Sequence, residues 1–224
     1  MNSWCKNLEL LIKSRTSLIW VRTKEEERLE KILNFLCERS NIKRYVCWDC
    51  VNGIKGLINE EGKFSNNPIG ILNWLKEQSP KVPTILLVKD FHKFYDDPTI
   101  NRTIKELSSA LKETNHNLII SSHLLPSSEE LDELMTILNL PLPDQKELRD
   151  LIKKIAINTN SDLEDQDLDE LAMASSGLTE IKVKQVTAKA LAQRGKISKE
   201  DIKDILEEKK QVIARSEILE FFRS

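Results

Sequence analysis

Polar residues that could contact a phosphate or a metal ion follow two short apolar segments of the chain. Asp90 lies two residues after the segment Thr84 to Val88, and Ser121 and Ser122 directly follow the segment Asn117 to Ile120. Both segments have the length and composition of buried strands. A carboxylate at the end of a strand can anchor Mg²⁺, and hydroxyl groups nearby can bond to a phosphate. These three residues are therefore the first candidates for a binding pocket.

The turn after the first predicted strand, Ser17 to Val21, does not have the composition of a phosphate-binding loop. Such a loop has the pattern G-x-x-x-x-G-K-[ST], because backbone N–H groups and a hydroxyl must approach phosphates and Mg²⁺ closely. Here the turn, Arg22 to Glu27, contains no glycine and ends in three consecutive glutamates. Carboxylates at a helix N-terminus favour the helix dipole and repel a triphosphate. The chain is therefore not expected to bind and hydrolyse ATP by the usual route.

Two further parts of a hydrolytic site are missing from the sequence. Phe91 stands where a water-orienting glutamate would follow Asp90, and residues 122–143 contain no lysine or arginine that could reach a neighbouring subunit's phosphates. Asp90 is then either a remnant metal-anchoring carboxylate or an acidic residue bonded to nearby backbone or to Lys89. Ser121 and Ser122 are either a remnant phosphate sensor or ordinary turn residues.

Lys182, near the start of a later helix, is the nearest basic residue to a second phosphate sensor. It is also explained as part of a solvated helix face. The residues of a vestigial pocket are accordingly Asp90, Ser121, Ser122 and Lys182, and the sequence predicts no catalytic residue.

The cysteines and histidines do not define a metal or redox centre. Cys47 and Cys50 form a C-x-x-C pair, but no second pair accompanies them and the residues that follow predict a turn instead of a helix. The histidines are His92, His116 and His123, and His92 is interpreted as a loop residue. We therefore predict no metal site. Acyl transfer is not indicated, because no G-x-S-x-G motif is present.

Composition excludes several classes of partner. The 224 residues carry 34 lysines and arginines against 36 aspartates and glutamates, a net charge of −2, so binding to nucleic acid is not expected. Apolar runs are too short for membrane insertion, and the first thirteen residues lack the continuous apolar stretch of a secretory leader. The 40% of hydrophobic residues is sufficient for a folded core.

Strands alternate with amphipathic helices up to Pro143, which predicts a parallel sheet with helices on both faces. The region from Asp144 to Ser224 has only helical periodicity and predicts a bundle of about four helices. We thus expect an α/β domain over residues 1–143 and a helical lid domain over residues 144–224. This order of elements is that of AAA-type P-loop ATPases. The five predicted strands are Ser17 to Val21, Lys43 to Trp48, Thr84 to Val88, Asn117 to Ile120 and Met135 to Leu140.

Five local patterns resemble a particular family, the cyanobacterial and plastid AAA ATPases known as hypothetical chloroplast reading frame forty-six. The resemblance covers about Leu8 to Phe222, and this stretch resembles the N-terminal half of the proteins of that family. The patterns are R-T-K-E-E-E-R-L, V-K-D-F-H-K-F-Y-D-D-P, L-P-L-P-D-Q-K-E-L, S-G-L-T-E and E-E-K-K-Q-V-I-A-R-S-E-I-L-E-F-F.

The resemblance implies a degenerate AAA module whose role is assembly, regulation or partner binding. ATP and magnesium are implied for the full-length family, in a downstream half that this sequence does not include, and no cofactor is expected for this chain. The implied partners are other protein subunits or the protein's own ATPase half, with oligomer formation possible, in a cyanobacterial cytoplasm or a plastid stroma. The alternative is a subunit that still binds ATP through unconventional contacts.

Overall fold

A computed structural model describes residues 3–40, 42, 44–125, 131 and 133–221, with side chains described as far as residue 214. The chain divides into two compact units, Met1–Leu140 and Pro141–Ser224. The first unit is an α/β unit and the second is helical. Among the described residues, no helix is both long and apolar enough to cross a membrane.

The α/β unit is built on a sheet in which six strands are described, in the order β3-β2-β4-β5-β1-β6. Every neighbouring pair is parallel except β2 and β3, which are antiparallel. The central strands are almost fully buried, as expected for a parallel sheet covered on both faces. The strands are β1 (Leu18–Arg22), β2 (Arg44–Asp49), β3 (Gly53–Lys55), β4 (Thr84–Lys89), β5 (His116–Ser122) and β6 (Thr136–Asn139).

The predicted α/β architecture is confirmed, but the predicted strand number was wrong by one. The additional strand is β3, and it lies in the segment after Cys50 that we predicted to be only a turn. The Asp49 carboxylate accepts the backbone N–H groups of Val51 and Asn52, at 3.0 and 2.7 Å, and so closes a hairpin. Gly53 then leaves the turn at φ 68°, a conformation that glycine adopts without strain. A three-residue strand in such a polar segment has no periodicity to reveal it.

Four helices are described in this unit; they cover the two faces of the sheet, and each face has its own apolar core. Leu8, Leu29 and Leu33, from the first two helices, pack against Ile19 and Val21 of β1. The other two helices contribute Leu72 and Ile104 among others to the second core. The helices are α1 (Ser3–Lys13), which the sequence analysis did not predict, α2 (Glu26–Arg39), α3 (Pro68–Lys76) and α4 (Pro98–Leu111).

An aromatic cluster holds the segment that follows β4. This segment is a short 3₁₀ helix, Phe91–Phe94. The Phe91 ring packs at 5.9 Å from the ring of Trp48 and at 6.2 Å from that of Tyr95, and Tyr95 packs at 5.2 Å from Trp20. Edge and tilted contacts of this kind add to the free energy of burial. The cluster therefore fixes the position of the residues on either side of Phe91.

The helical unit has its own core, which includes Leu148, Ile152, Leu171 and Val183. Ser198 and Asp201 form a reciprocal capping box. The helices of this unit are α5 (Gln145–Asn158), α6 (Asp165–Ser175), α7 (Glu180–Arg194) and α8 (Ile202–Phe221), and a 3₁₀ turn (Lys199–Asp201) precedes α8.

Candidate functional site

The candidate site lies at the carboxyl ends of β1, β4 and β5, which are neighbours in the sheet. The strand pairing aligns Ser121 with Val21 of β1 and with Lys89 of β4. Asp90 and Ser122 come one residue further along their strands. We call this set of strand ends, residues 22–27, 89–92 and 121–123, the carboxyl edge. The fold therefore brings together Asp90, Ser121 and Ser122 from the predicted pocket.

The two serines of the carboxyl edge have different partners on different faces of the sheet. The Ser121 hydroxyl donates a hydrogen bond to Glu26 Oε1 of α2, at 3.2 Å. The Ser122 hydroxyl is 2.9 Å from His92 Nδ1, in the segment after β4. Side chains alternate between faces along a strand, so adjacent serines cannot act on one common ligand. The two hydroxyls are therefore directed to different sides of the sheet.

The glutamates after β1 occupy three distinct environments. Glu25 is buried, with 4% of its surface exposed, and pairs with the buried guanidinium of Arg28 at 3.2 Å. Glu26, the first residue of α2, is half-buried, and Glu27 is exposed. The helix α2 begins at Glu26, and Glu25 is its N-cap residue. The three carboxylates therefore differ in burial and in their partners.

Glu26 is the carboxylate with the most unusual electrostatics in this region. Burial raises its pKa above the ordinary value of 4.5, and the nearby Asp90 carboxylate raises the pKa further. Lys89 and the hydrogen bond from Ser121 act in the opposite direction. Lys89 itself is bound by Glu30 of α2. Lys89 therefore has a carboxylate partner on α2.

Asp90 adopts the left-handed backbone conformation, with φ 51° and ψ 24°. Its N–H donates to the Ser121 carbonyl at 3.1 Å, and its own carbonyl accepts the Lys93 N–H at 3.1 Å. Its carboxylate is 60% exposed and lies 3.8 Å from His92 Nδ1. Asp90 is thus held by its backbone, and its carboxylate remains accessible.

His92 is a buried residue of the carboxyl edge, with only 7% of its side chain exposed. Burial lowers its pKa below the ordinary value of 6.5, although Asp90 opposes the shift. The His92 and His123 rings lie 5.2 Å apart, nearly perpendicular. Potential ligand atoms of Asp90, His92 and His123 all lie within 4.8 Å of one another. The sequence analysis missed this group, because His123 is thirty-one residues from His92; the adjacency of the two strand ends was the available signal.

The carboxyl edge does not fit a triphosphate bound in the manner of a phosphate loop. The Thr23 hydroxyl already accepts the Glu25 N–H at 2.8 Å, and the Thr23 N–H donates to the Ser122 carbonyl at 2.8 Å. The Ser121 hydroxyl is bonded to the Glu26 carboxylate, which would face the phosphates. Donors that would cradle an anion are thus used within the protein, beside several carboxylates.

Two other groups from the sequence analysis have surroundings of their own. Lys182 belongs to α7 of the helical unit and pairs there with Glu208 at 2.7 Å. Cys47 packs into the core on the α1 and α2 side of the sheet, and Cys50 packs against the core on the opposite side. The C-x-x-C residues therefore do not face each other. All four cysteines lie in the described part of the chain, and none of them forms a disulfide.

The fold of the chain is that of an AAA module. The structure is similar to that of the AAA domain of FIGL-1 solved with ADP, with a TM-score of 0.61 and 8% sequence identity. The match covers 95% of this chain and 82% of that chain. It is also similar to the structure of PCH-2 of C. elegans, with a TM-score of 0.59 and 12% sequence identity, over 94% of this chain and 67% of that chain. At such identities the likeness concerns the fold alone.

The chain belongs to the SpoVK-like AAA ATPase family. Residues 4–140 match the model of that family's N-terminal domain, and residues 146–216 match the model of its second domain. The chain is 30% identical to the uncharacterized AAA domain-containing protein ycf46 of Guillardia theta and 32% identical to that of Gracilaria tenuistipitata, over 98% of its own length in each case. It spans only 44% and 45% of those proteins. The resemblance noted from the sequence motifs is confirmed.

The carboxylates after β1 lead to a prediction on pH dependence. Because the folded protein holds a proton on Glu26 more tightly than the unfolded chain does, the free energy of unfolding falls as pH rises from about 4.5 through the raised pKa. Glu26→Gln removes this loss. The melting temperature of Glu26→Gln minus that of the native protein should therefore increase between pH 4 and pH 8.

Two matched variants complete that experiment. Glu25→Gln leaves the buried Arg28 without its carboxylate and should lower the free energy of unfolding by about 3 kcal/mol at pH 7. Glu27→Gln is exposed and should change it by less than about 0.5 kcal/mol. A native protein that gains stability over Glu26→Gln as pH rises would contradict the assignment of a raised pKa.

The aromatic cluster predicts that Phe91 is required for folding. Phe91→Ala should lower the free energy of unfolding, measured in urea, by about 3–5 kcal/mol, and Phe91→Leu by less than about 1.5 kcal/mol. Phe91→Glu, which restores the acidic residue of hydrolytic sites, should prevent folding because it buries a charge. Phe35→Ala, at a half-exposed position, is the control. Native-like stability of Phe91→Glu would show that the cluster is not essential.

The cysteines predict a graded thiol reactivity. Burial raises the pKa of Cys47 to about 12 and that of Cys37 to about 11, so both remain protonated at pH 8. Iodoacetamide should therefore label the partly exposed Cys50 first in the native protein, and all four cysteines only in denaturant, as measured by peptide mass spectrometry. A disulfide between Cys47 and Cys50 after mild oxidation would contradict the opposed placement of the two thiols.

Proposed function

We propose that this chain is a non-catalytic AAA module that serves assembly, regulation or partner binding within an ATPase whose hydrolytic site lies elsewhere. The observation that carries the proposal is the hydrogen bond from Ser121 to Glu26 at the carboxyl edge. A carboxylate in contact with the candidate sensor residue occupies the region that an ATPase would leave to phosphate. The fold of an ATPase is thus combined with an edge that repels its usual ligand.

The arrangement of charges supports the proposal. Burial raises the pKa of Glu26, and the nearby Asp90 carboxylate raises it further. A further negative charge beside these two carboxylates would therefore be repelled. A triphosphate would add several negative charges beside both carboxylates. The candidate cation, Lys89, offsets only part of this charge, because it is also bound by Glu30. The same charges that close this edge to nucleotide are part of the internal bonding of the unit.

The position of Phe91 supports the loss of hydrolysis in particular. A hydrolytic site needs an acidic side chain there to orient water. Phe91 is instead fully buried in the aromatic cluster, so that no polar group could take its place without loss of packing. The residue after Asp90 thus serves the core.

The relatives support an assignment to a larger ATPase. The chain spans less than half of the ycf46 proteins that it matches, so ATP and magnesium would be bound in the remaining part of such a protein. We propose that this module contacts that ATPase half or other protein subunits, with oligomer formation as one outcome. The near-neutral net charge argues against a nucleic acid partner. Since the relatives come from algae, the proposed location is a plastid stroma or a cyanobacterial cytoplasm.

The proposal predicts that Mg-ATP neither binds to this chain nor is hydrolysed by it. Calorimetric titration should show no saturable heat, and thermal unfolding should not shift, whereas a ligand at 100 times its Kd would stabilise the protein by about 2.7 kcal/mol. The AAA domain of FIGL-1, solved with ADP, serves as the positive control. The double variant Glu26→Gln, Glu27→Gln should also fail to bind, because the turn still lacks the glycines that let backbone approach phosphate.

Two results would overturn the proposal. Saturable binding of Mg-ATP by the native chain would favour the alternative, a subunit that holds nucleotide through unconventional contacts. Phosphate release that Asp90→Ala abolishes would show that the chain itself is an enzyme.

A further inference from the structure

We propose that Asp90, His92 and His123 form a binding site for a divalent transition metal ion of the zinc class. This inference goes beyond the proposed function and departs from our expectation, based on sequence, that the chain has no metal site. It rests on the geometry of three side chains that come from the ends of two neighbouring strands, β4 and β5.

The three side chains are already close to the spacing that a metal ion requires. Their potential ligand atoms lie within 4.8 Å of one another, and the Asp90 Oδ1 to His92 Nδ1 distance is 3.8 Å. Four-coordinate zinc, with bonds of about 2.1 Å, places its ligands about 3.4 Å apart. Asp90 and His123 are exposed, so rotation of these two side chains can close the remaining distance. No movement of the backbone is needed.

His92 presents its Nδ1 to Asp90, because this nitrogen lies 3.8 Å from Asp90 Oδ1. The same nitrogen lies 2.9 Å from the Ser122 hydroxyl. Nδ1 is therefore the candidate ligand atom of His92, and an ion bound there would replace its contact with Ser122. The Ser122 hydroxyl would keep the Leu124 N–H, from which it accepts a hydrogen bond at 3.0 Å.

The backbone at these positions is held in place before any metal arrives. The Asp90 N–H is bonded to the Ser121 carbonyl at 3.1 Å. The Ser122 hydroxyl accepts the Leu124 N–H at 3.0 Å, and the His123 carbonyl accepts a hydrogen bond from the Arg22 side chain at 3.4 Å. Such preorganisation lowers the entropy lost on binding. The ligands are therefore presented by fixed strand ends.

The donor types select the class of metal. Two imidazoles and one carboxylate suit Zn²⁺, Co²⁺ or Ni²⁺, whereas Mg²⁺ and Ca²⁺ prefer oxygen ligands throughout. The Glu26 carboxylate adds negative charge near Asp90. Lys93 acts against the ion. Exposure of Asp90 and His123 leaves the remaining coordination positions open to water.

The test is calorimetric titration of the metal-stripped full chain with ZnCl₂. We expect one ion per chain, and a loss of affinity of at least tenfold in both Asp90→Asn and His123→Ala. Asparagine tolerates the left-handed backbone, so the first variant should fold, and His123 lies on the surface. Asp96→Asn, which removes an exposed carboxylate from the same segment, should bind as the native protein does. Cys50→Ser should also bind normally, which separates this site from a thiol site.

Two further measurements test metal binding without calorimetry. Zinc should raise the melting temperature of the native protein and of Asp96→Asn but not that of Asp90→Asn, and circular dichroism should show that all variants are folded. Cobalt should give the visible absorption of a nitrogen and oxygen site without the charge-transfer bands of thiolate ligands. The proposal is overturned if no stoichiometric binding occurs, or if Asp90→Asn and His123→Ala bind zinc as tightly as the native chain.

Discussion

The parallel pairing of β1, β5 and β4 is the constraint on which the rest of the α/β unit depends. Parallel strands must all end at the same edge of the sheet, so residues that are far apart in the sequence meet there. Asp90, Ser122 and Glu26 come together only because Ser121 is aligned with both Val21 and Lys89. Alternation along β5 then divides the edge into two parts, one facing α2 and one facing the segment after β4. Both the carboxylate-rich turn and the histidine pair are products of this register.

The carboxyl edge shows how an ATPase fold can be kept without its ligand. In a phosphate loop, backbone donors remain available because glycine allows the anion to approach. Here the Thr23 hydroxyl, the Glu25 and Arg28 pair, and the Ser121 and Glu26 hydrogen bond satisfy the turn internally. The bonds that stabilise this turn are therefore the ones that make it a poor anion site.

Periodicity and apolar runs predicted most of the architecture. Two apolar runs, which begin at Thr84 and Asn117, correspond to β4 and β5, and the helical pattern after Asp144 corresponds to the helical unit. These elements were predictable because burial on one or both faces requires apolar residues at regular spacing. The strand β3 escaped prediction, since a three-residue edge strand closed by Asp49 has no such pattern. Asp90, Ser121 and Ser122 could be located at strand ends. Their partners, Glu26 and His123, depend on long-range strand order and side-chain direction, which local sequence does not contain.

The position of β1 between β5 and β6 also affects how the chain is made. The apolar residues of β1 are synthesised early, but both neighbours of the strand are encoded about one hundred residues later. At a translation rate of about 5–20 residues per second, β1 leaves the ribosome about 5–20 seconds before it can pair. During that interval α1 and α2 are the first elements able to cover the apolar side chains of Ile19 and Val21. Biosynthesis of this unit thus includes a period in which an unpaired apolar strand is open to chaperones and to aggregation.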